Sequence, residues 1–200
     1  NTQVGLTFAS ALRSFLRQDP NIIMVGEIRD TETAELAIQA ALTGHQVFST
    51  LHTNTAAGSP PRLLDMGVEP FLLTSALNAV LGQRVVRKIC PQCRVEFNPP
   101  PEVVENIKSV LGKFLPASPR GEPSSTQFKL FKGKGCKFCG DTGYLGRTGI
   151  FEVLVVTEAI GKLILEHASS VAIEEAAVAA GMITMKQDGY LKVLEGKTTM

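Results

Sequence analysis

The sequence predicts an α/β fold built on parallel strands, interrupted by a small four-cysteine module. An apolar run at Ile22–Val25, a helical stretch opening at Thr31 and a second apolar run at Val47–Leu51 follow the order of a right-handed βαβ unit. The four cysteines form two C-x₂-C pairs separated by 42 residues. Charge and proline content also change around these pairs, as expected for a module inserted into a different domain.

Composition excludes several classes of protein. The 200 residues have a formal net charge of +1 and are 44% hydrophobic, which fits neither a disordered chain nor a uniformly basic nucleic-acid coat. No apolar run approaches the roughly 20 residues of a membrane-spanning helix, and the first residues do not resemble a signal peptide. The near-zero charge hides an asymmetry, because Arg84–Arg147 carries twelve basic and five acidic residues.

Local patterns place the individual elements. Proline disfavours helix in the residue before it, so a helix over residues 6–18 should end at Asp19. Ile22–Val25 is continuously apolar and is therefore predicted to be buried on both faces. Gly44 supplies the left-handed exit of the helix that opens at Thr31. Further helices are expected near Pro61, after Pro101 and over Glu69–Val80, Thr157–Leu165, Val171–Ala180 and Asp188–Leu194. Extended segments are expected at Arg84–Ile89 and Ile150–Val156, and a loop is expected over 116–127.

Two polar residues follow the predicted parallel strands directly. Glu27 comes after Ile22–Gly26 and His52 after Val47–Leu51, and ligands of parallel sheets bind beyond the carboxyl ends of the strands. A carboxylate at such an end can orient or deprotonate a water molecule beside a phosphate. The alternative for Glu27 is a solvated glutamate or an ion pair with Arg29. His52 stands in a threonine- and asparagine-rich stretch, whereas His45, at the opposite end of its strand, is predicted to be structural.

The cysteine pairs Cys90/Cys93 and Cys136/Cys139 carry the most specific signal that is independent of any family. Two C-x₂-C knuckles supply four thiolates, the ligand set of a tetrahedral structural Zn²⁺ site. The alternative is a pair of disulfides or a redox motif, which a reducing compartment disfavours. Four thiolates leave no open position for a catalytic water, so the metal would be structural.

A basic and aromatic stretch precedes the second cysteine pair. Aromatic residues between lysines are typical of single-stranded nucleic-acid grooves, but they also occur on solvated faces with the rings packed beneath them. Both interpretations stay open from sequence alone. The residues concerned are Lys129, Lys132, Lys134 and Lys137 with Phe128, Phe131 and Phe138.

The chain resembles the secretion ATPase superfamily that drives type II secretion and type IV pilus extension. Gly26-Glu27-Ile28-Arg29-Asp30 is similar to its Walker B segment, and Leu51-His52-Thr53-Asn54 is similar to its histidine box. The resemblance also covers residues 8–25, 43–50, 62–68, 83–87, both cysteine pairs, 181–189 and 197–199.

That resemblance implies a function and a setting. Glu27 would be the catalytic carboxylate, and His52 a sensor that couples the γ-phosphate of ATP to domain motion. Family members are hexameric, RecA-like and cytoplasmic, docked on an inner-membrane platform protein, and they use ATP with Mg²⁺. The cysteine module favours extension or secretion over retraction. Arg84 and Arg87 are weaker candidates for contact with nucleotide phosphate or with a neighbouring subunit.

One family motif is missing from the 200 residues. No G-x-x-x-x-G-K-[ST] phosphate loop occurs, and Gly133-Lys134-Gly135 is predicted to lack a preceding strand. We therefore expect the C-terminal half of a motor, truncated within its last motif and unable by itself to hydrolyse ATP. The predicted divisions are a RecA-like core at 1–89, a zinc-binding insertion at 90–143, a returning strand at 144–156 and a helical subdomain at 157–200. The alternative function is a non-enzymatic zinc-ribbon module that binds nucleic acid or protein.

Overall fold

The computed structural model describes residues 8–18, 20–115 and 129–200. The predicted helix end at Asp19 and the whole of the predicted loop at 116–127 lie outside this range. No helix among the described residues is both long enough and apolar enough to cross a membrane. In chain order the elements are α1 (Phe8–Leu16), β1 (Ile22–Val25), α2 (Thr31–Leu42), β2 (Gln46–Ser49), α3 (Ser59–Asp65), α4 (Pro70–Ala76), β3 (Ala79–Ile89), β4 (Arg94–Phe97), α5 (Pro101–Leu111), β5 (Leu130–Gly133), β6 (Tyr144–Val155), α6 (Glu158–Leu165), α7 (Ser170–Ala179) and α8 (Met185–Leu194).

The βαβ unit confirms the predicted parallel arrangement. β1 and β2 pair in parallel, from Ile22 opposite Gln46 to Val25 opposite Ser49. The connecting helix α2 begins at an N-cap, where the Asp30 carboxylate accepts a 2.8 Å hydrogen bond from the Thr33 amide. This arrangement sends the carboxyl ends of both strands to the same edge of the sheet.

The prediction that β1 is buried on both faces is wrong. Ile23 and Val25 are buried in a cluster formed with α1 and α2, but Ile22 is 61% and Met24 75% exposed. Within the described part of the chain, helices cover only one face of this two-stranded sheet. A continuous apolar run indicates a strand that would be stabilised by burial of both faces. It does not determine whether another segment of the chain packs on the second face.

The chain divides into two compact units. The first comprises the residues up to Leu81 together with Val153–Met182, and the second comprises Gly82–Glu152 with Ile183–Met200. The first unit has a core of α2, α3, α4, α6 and α7 side chains, and the second has a smaller core around Ile107. β3 and β6 pair with each other, and each contributes residues to both units. The domain boundaries predicted from sequence stay predictions, because compactness does not define where an insertion begins.

Several element boundaries differ from the sequence prediction, among them those of α4 and β6. Helix α4 ends at Ala76, not at Val80, since Leu77 is extended and β3 begins at Ala79. Leu77 and Val80 nevertheless pack against the same core as the helix. The helix-like spacing of core residues therefore continues beyond the end of the helix. β6 begins at Tyr144, before the predicted extended segment Ile150–Val156 but at the start of the predicted returning strand 144–156, because pairing with β3 overrides the glycine turn signals.

Candidate functional site

Glu27 and His52 lie together beyond the paired strands. Glu27 follows the end of β1 by two residues, His52 follows the end of β2 by three, and the parallel pairing brings both to one edge. His52 Nε2 is 3.2 Å from Glu27 Oε2. The structure therefore joins the two residues that sequence position and family resemblance both singled out.

Arg29 is the third member of this group. Its Nε donates to Glu27 Oε2 at 2.7 Å, the same oxygen that faces His52. The hydrogen bond from Arg29 does most to hold the pKa of the Glu27 carboxyl below its ordinary value; burial opposes it, and the positive charge of Arg29 and the contact with His52 add to the lowering. The ion pair considered as an alternative for Glu27 is thus present, and it coexists with the His52 contact.

Hydrogen bonds tie the backbone around Glu27 to β2. The Thr50 hydroxyl donates to the Gly26 carbonyl at 2.6 Å, and the Ile28 amide donates to the Thr50 carbonyl at 3.0 Å. The peptide groups on both sides of Glu27 are therefore joined to a single residue of the neighbouring chain segment.

The segment after His52 is held by a small hydroxyl network. Thr53 Oγ1 donates to the Thr55 carbonyl at 3.0 Å and lies 3.1 Å from Ser59 Oγ, while Thr55 Oγ1 accepts a bond from the Gly58 amide. Ser59 is only 4% exposed. The threonine-rich sequence indicated part of this network. The buried contact of Ser59, a single serine at the start of α3, could not be predicted from the sequence.

His45 occupies the opposite end of β2. Its Nδ1 lies 3.0 Å from the Ala40 carbonyl and 3.1 Å from Thr43 Oγ1, at the C-terminal end of α2. These contacts satisfy the ring locally and give it a structural environment, as its position in the sequence predicts.

The four cysteines form a second, separate group. Cys90 and Cys136 sulfurs lie 3.9 Å apart, those of Cys93 and Cys139 3.9 Å, and those of Cys136 and Cys139 3.7 Å, with all four within 4.8 Å of one another. None of the four is in a disulfide. Zn–S bonds of about 2.3 Å require sulfurs about 3.8 Å apart at the corners of a tetrahedron. The donor set and its spacing therefore fit a tetrahedral Zn²⁺ ion, and they are too widely spaced for disulfide bonds.

Backbone amides point at the sulfur atoms. The N–H groups of Cys136 and Gly143 each donate to Cys139 Sγ at 3.3 Å. Burial acts to raise the pKa of the Cys139 thiol, but these donors and the neighbouring thiols lower it to about 6. Burial raises the pKa of Cys93 to about 11. A cysteine held as a thiolate by backbone donors is prepared to bind metal.

The Gly133-Lys134-Gly135 stretch belongs to this cysteine module. The expectation that no strand precedes it is wrong, because β5 ends at Gly133. It is nevertheless no phosphate loop: the residue after Lys134 is a glycine, and the next helical segment is only the 3₁₀ turn Lys137–Cys139. A Cβ atom at Gly133 would overlap the Gly143 carbonyl. The absence of a side chain at Gly133 allows the two backbones to approach each other closely.

Side chains of the basic and aromatic stretch have partners within the chain. Lys129 forms a 2.5 Å ion pair with Glu96, the Lys132 ammonium lies 5.3 Å from the centre of the Phe97 ring, and Arg94 lies 3.7 Å over Phe131. Phe131 is half-buried, whereas Phe138 is 74% exposed, so Phe138 does not fit the interpretation in which the rings pack beneath a solvated face. Phe128 lies outside the described residues.

Arg84 and Arg87 both lie on β3 in the second unit, whereas Glu27 and His52 belong to the first. The Arg87 guanidinium lies 4.1 Å over the Tyr144 ring, and the Arg87 carbonyl accepts a bond from the Thr198 hydroxyl. Arg87 thus has a packing role of its own, and a role of either arginine in nucleotide binding stays a prediction.

A comparison with known protein families decides the membership of this chain. The family described as type II/IV secretion system protein matches residues 1–200. The chain belongs to this family. Among curated relatives, it is 50% identical over its full length to the type IV pilus assembly ATPase PilB of Thermus thermophilus and 46% identical to the type II secretion system protein E of Aeromonas hydrophila. It spans 21% and 37% of the lengths of these two secretion-family relatives.

Two solved structures have a similar fold. The crystal structure of the pilus retraction motor PilT with bound ADP matches 97% of this chain and 41% of that protein, with a TM-score of 0.61 and 28% identity. The ATPase DotB of Legionella pneumophila matches with the same TM-score of 0.61 at 22% identity, which supports the fold alone. The chain is therefore an α/β member of a family whose named relatives include ATPases.

Proposed function

We propose that this chain is the C-terminal half of a hexameric, RecA-like ATPase that powers type IV pilus assembly or type II secretion. The observation that carries the proposal is the 3.2 Å contact between Glu27 and His52 at the carboxyl ends of two parallel strands. Open α/β sheets bind their ligands at this edge. The curated relatives named as pilus assembly ATPase and secretion protein E support the same assignment.

Glu27 is the catalytic carboxylate in this proposal. A carboxylate beyond a parallel strand can accept a proton from a water molecule or orient it for attack on a phosphate. The lowered pKa keeps Glu27 ionised, and its Oε2 already receives Arg29 and His52. His52, three residues beyond the adjacent strand, is the sensor that couples the γ-phosphate of ATP to domain motion.

ATP and Mg²⁺ require residues beyond these 200. The sequence contains no G-x-x-x-x-G-K-[ST] loop, so it offers no backbone cradle for the phosphates. We therefore propose that the purified 200-residue chain does not hydrolyse ATP, and we derive no step in which it holds the nucleotide. Arg84 and Arg87 are retained as candidate phosphate or intersubunit contacts of the whole motor.

Zn²⁺ is the structural cofactor in this proposal. Cys90, Cys93, Cys136 and Cys139 would hold it, and four thiolates leave no site for a reacting water. The ion would close the long segment between the two cysteine pairs and so stabilise the second unit.

The setting proposed for the whole motor follows the family. It would work as a homo-hexamer in the cytoplasm, peripheral to the inner membrane and docked on a platform protein, without direct contact to nucleic acid. The intramolecular partners of Lys129 and Lys132 weaken the alternative of a nucleic-acid-binding zinc module. Salt-dependent binding of single-stranded DNA by the chain would favour that alternative.

The decisive experiment is Glu27→Gln in the full-length parent that contains the phosphate loop. ATP turnover should fall by about 10²- to 10⁴-fold, the usual contribution of a general base. Glu35→Gln is the matched control, since Glu35 is an exposed glutamate on α2, and it should leave turnover unchanged. Full turnover in Glu27→Gln, or ATP hydrolysis by the 200-residue chain, would contradict the proposal.

A further inference from the structure

Thr50 makes hydrogen bonds to the two residues that flank Glu27 in the sequence. Its side-chain hydroxyl donates to the carbonyl of Gly26 at 2.6 Å. Its own carbonyl accepts from the amide of Ile28 at 3.0 Å. The residues immediately before and after Glu27 are thus held by one residue of the other strand segment, although Glu27 itself makes no bond to Thr50 in either interaction.

The position of Thr50 along the sheet gives these bonds their importance. The last paired residues of the two strands are Val25 and Ser49, so Thr50 lies one residue beyond the ladder. It also lies two residues before His52. Thr50 therefore joins the two segments on both sides of Glu27, two residues before the imidazole of His52.

We propose that Thr50 is a positioning residue that holds Glu27 and His52 in register for the reaction. This inference rests on the proposed function. The contact between Glu27 and His52 is 3.2 Å long and joins two side chains at least partly open to solvent. Neither side chain is fixed by burial, so their mutual distance depends on how firmly the backbones beneath them are joined. Small displacements of reacting groups are known to cost large factors in rate.

Replacement by valine isolates the hydroxyl. Valine keeps the β-branched shape and the strand preference of threonine but removes the donor to the Gly26 carbonyl. Because Thr50 is exposed, water can satisfy that carbonyl, and the fold should survive. Serine restores the hydroxyl without the methyl group. Thr31→Val is the matched control, since Thr31 makes an equally short bond of 2.6 Å to a backbone carbonyl, that of Met66.

The first measurement is amide hydrogen exchange at Ile28 in the 200-residue chain. We expect exchange to be about five- to tenfold faster in Thr50→Val, because one of two bonds that close this junction is lost. Exchange in Thr50→Ser and Thr31→Val should match the wild type. Thermal unfolding of all four proteins checks that the variants are folded.

The second measurement is steady-state ATP hydrolysis by the full-length parent. We expect Thr50→Val to lower kcat about tenfold while KM for ATP stays within about twofold, since alignment changes and ground-state binding does not. Thr50→Ser should recover most of the rate, and Thr31→Val should keep all of it.

The two measurements separate the possible failures. If Glu27→Gln abolishes turnover but Thr50→Val retains full kcat, the positioning role is overturned and the proposed function stands. If the parent shows no turnover that depends on Glu27, the proposed function fails, and the positioning role fails with it. Unchanged Ile28 exchange in Thr50→Val would overturn the role of the hydroxyl whatever the kinetics show.

Discussion

The two candidate sites of this chain differ in how much of each site the chain contains. The four cysteine sulfurs lie within one unit, at tetrahedral spacing and supported by backbone donors, so the whole ligand set is present. The Glu27–His52 pair is exposed at the edge of a two-stranded sheet, and the sequence lacks a phosphate loop to accompany it. In the proposed motor, the chain would therefore contain the whole zinc ligand set but only part of the catalytic site.

The largest expected effect is loss of the metal site. Cys136→Ser removes one of four thiolates, and the binding free energy of a structural zinc ion is largely folding free energy. We expect zinc content to fall well below one per chain and the unfolding transition of the second unit to drop by about 10 °C or more. Elemental analysis and calorimetry would measure both.

Glu27→Gln is the control for this experiment, and it should bind zinc and unfold as the wild type does. A chain that contains no zinc when purified under reducing conditions would contradict the assignment of the cysteine site.

A smaller effect is expected from Gly133→Ala. The added Cβ would overlap the Gly143 carbonyl where two backbones meet in the cysteine module, and overpacking of this kind costs about 1–3 kcal/mol. Gly161→Ala is the opposite case, because a Cβ there would lie 3.9 Å from Thr74 in ordinary contact within helix α6. Alanine stabilises a helix interior by roughly 0.5–1 kcal/mol relative to glycine.

Chemical denaturation would measure both glycine variants. Equal stability of Gly133→Ala and the wild type would mean that the two backbones can separate without cost.

The smallest effect concerns the open site. Arg29→Gln removes the guanidinium, whose charge-assisted hydrogen bond does most to lower the pKa of Glu27; a neutral amide donor replaces it at most weakly, so that pKa should rise toward its ordinary value. A carboxyl group whose pKa is lower in the folded chain than in the unfolded chain stabilises the fold at pH values above the unfolded-state pKa. This stabilisation is lost as the pH falls through the folded-state pKa. Because the ion pair is exposed, thermal stability at neutral pH should hardly change.

Carboxyl NMR titration would follow Glu27 directly. Arg13→Gln is the matched control, as Arg13 pairs with Glu32 at 2.9 Å and should leave the pKa of Glu27 unaltered. An unchanged titration in Arg29→Gln would contradict the role given to this arginine.

Local patterns predicted most of what is local in this structure. The βαβ unit, the cap at Gly44 and the helix beginning at Pro101 follow from periodicity and turn chemistry, and the cysteine spacing indicated a metal-binding set. The strands β4 and β5 were not predicted, because four residues of alternation between knuckles are too short to stand out.

Long-range features were beyond the reach of the sequence. The exposed face of β1 depends on which segments cover it, and the bonds of Thr50 depend on strand register. The exposure of Phe138 likewise depends on how the knuckle folds. None of these properties has a periodic signature.

The uncovered face of β1 and β2 has a consequence for handling the chain in solution. Met24 and Phe48 are opposite each other in the register, and both are at least half exposed. Contiguous apolar surface on a short sheet promotes adhesion between molecules. Measurements on the isolated chain therefore belong at low protein concentration, where unfolding reports on one molecule rather than on its aggregates.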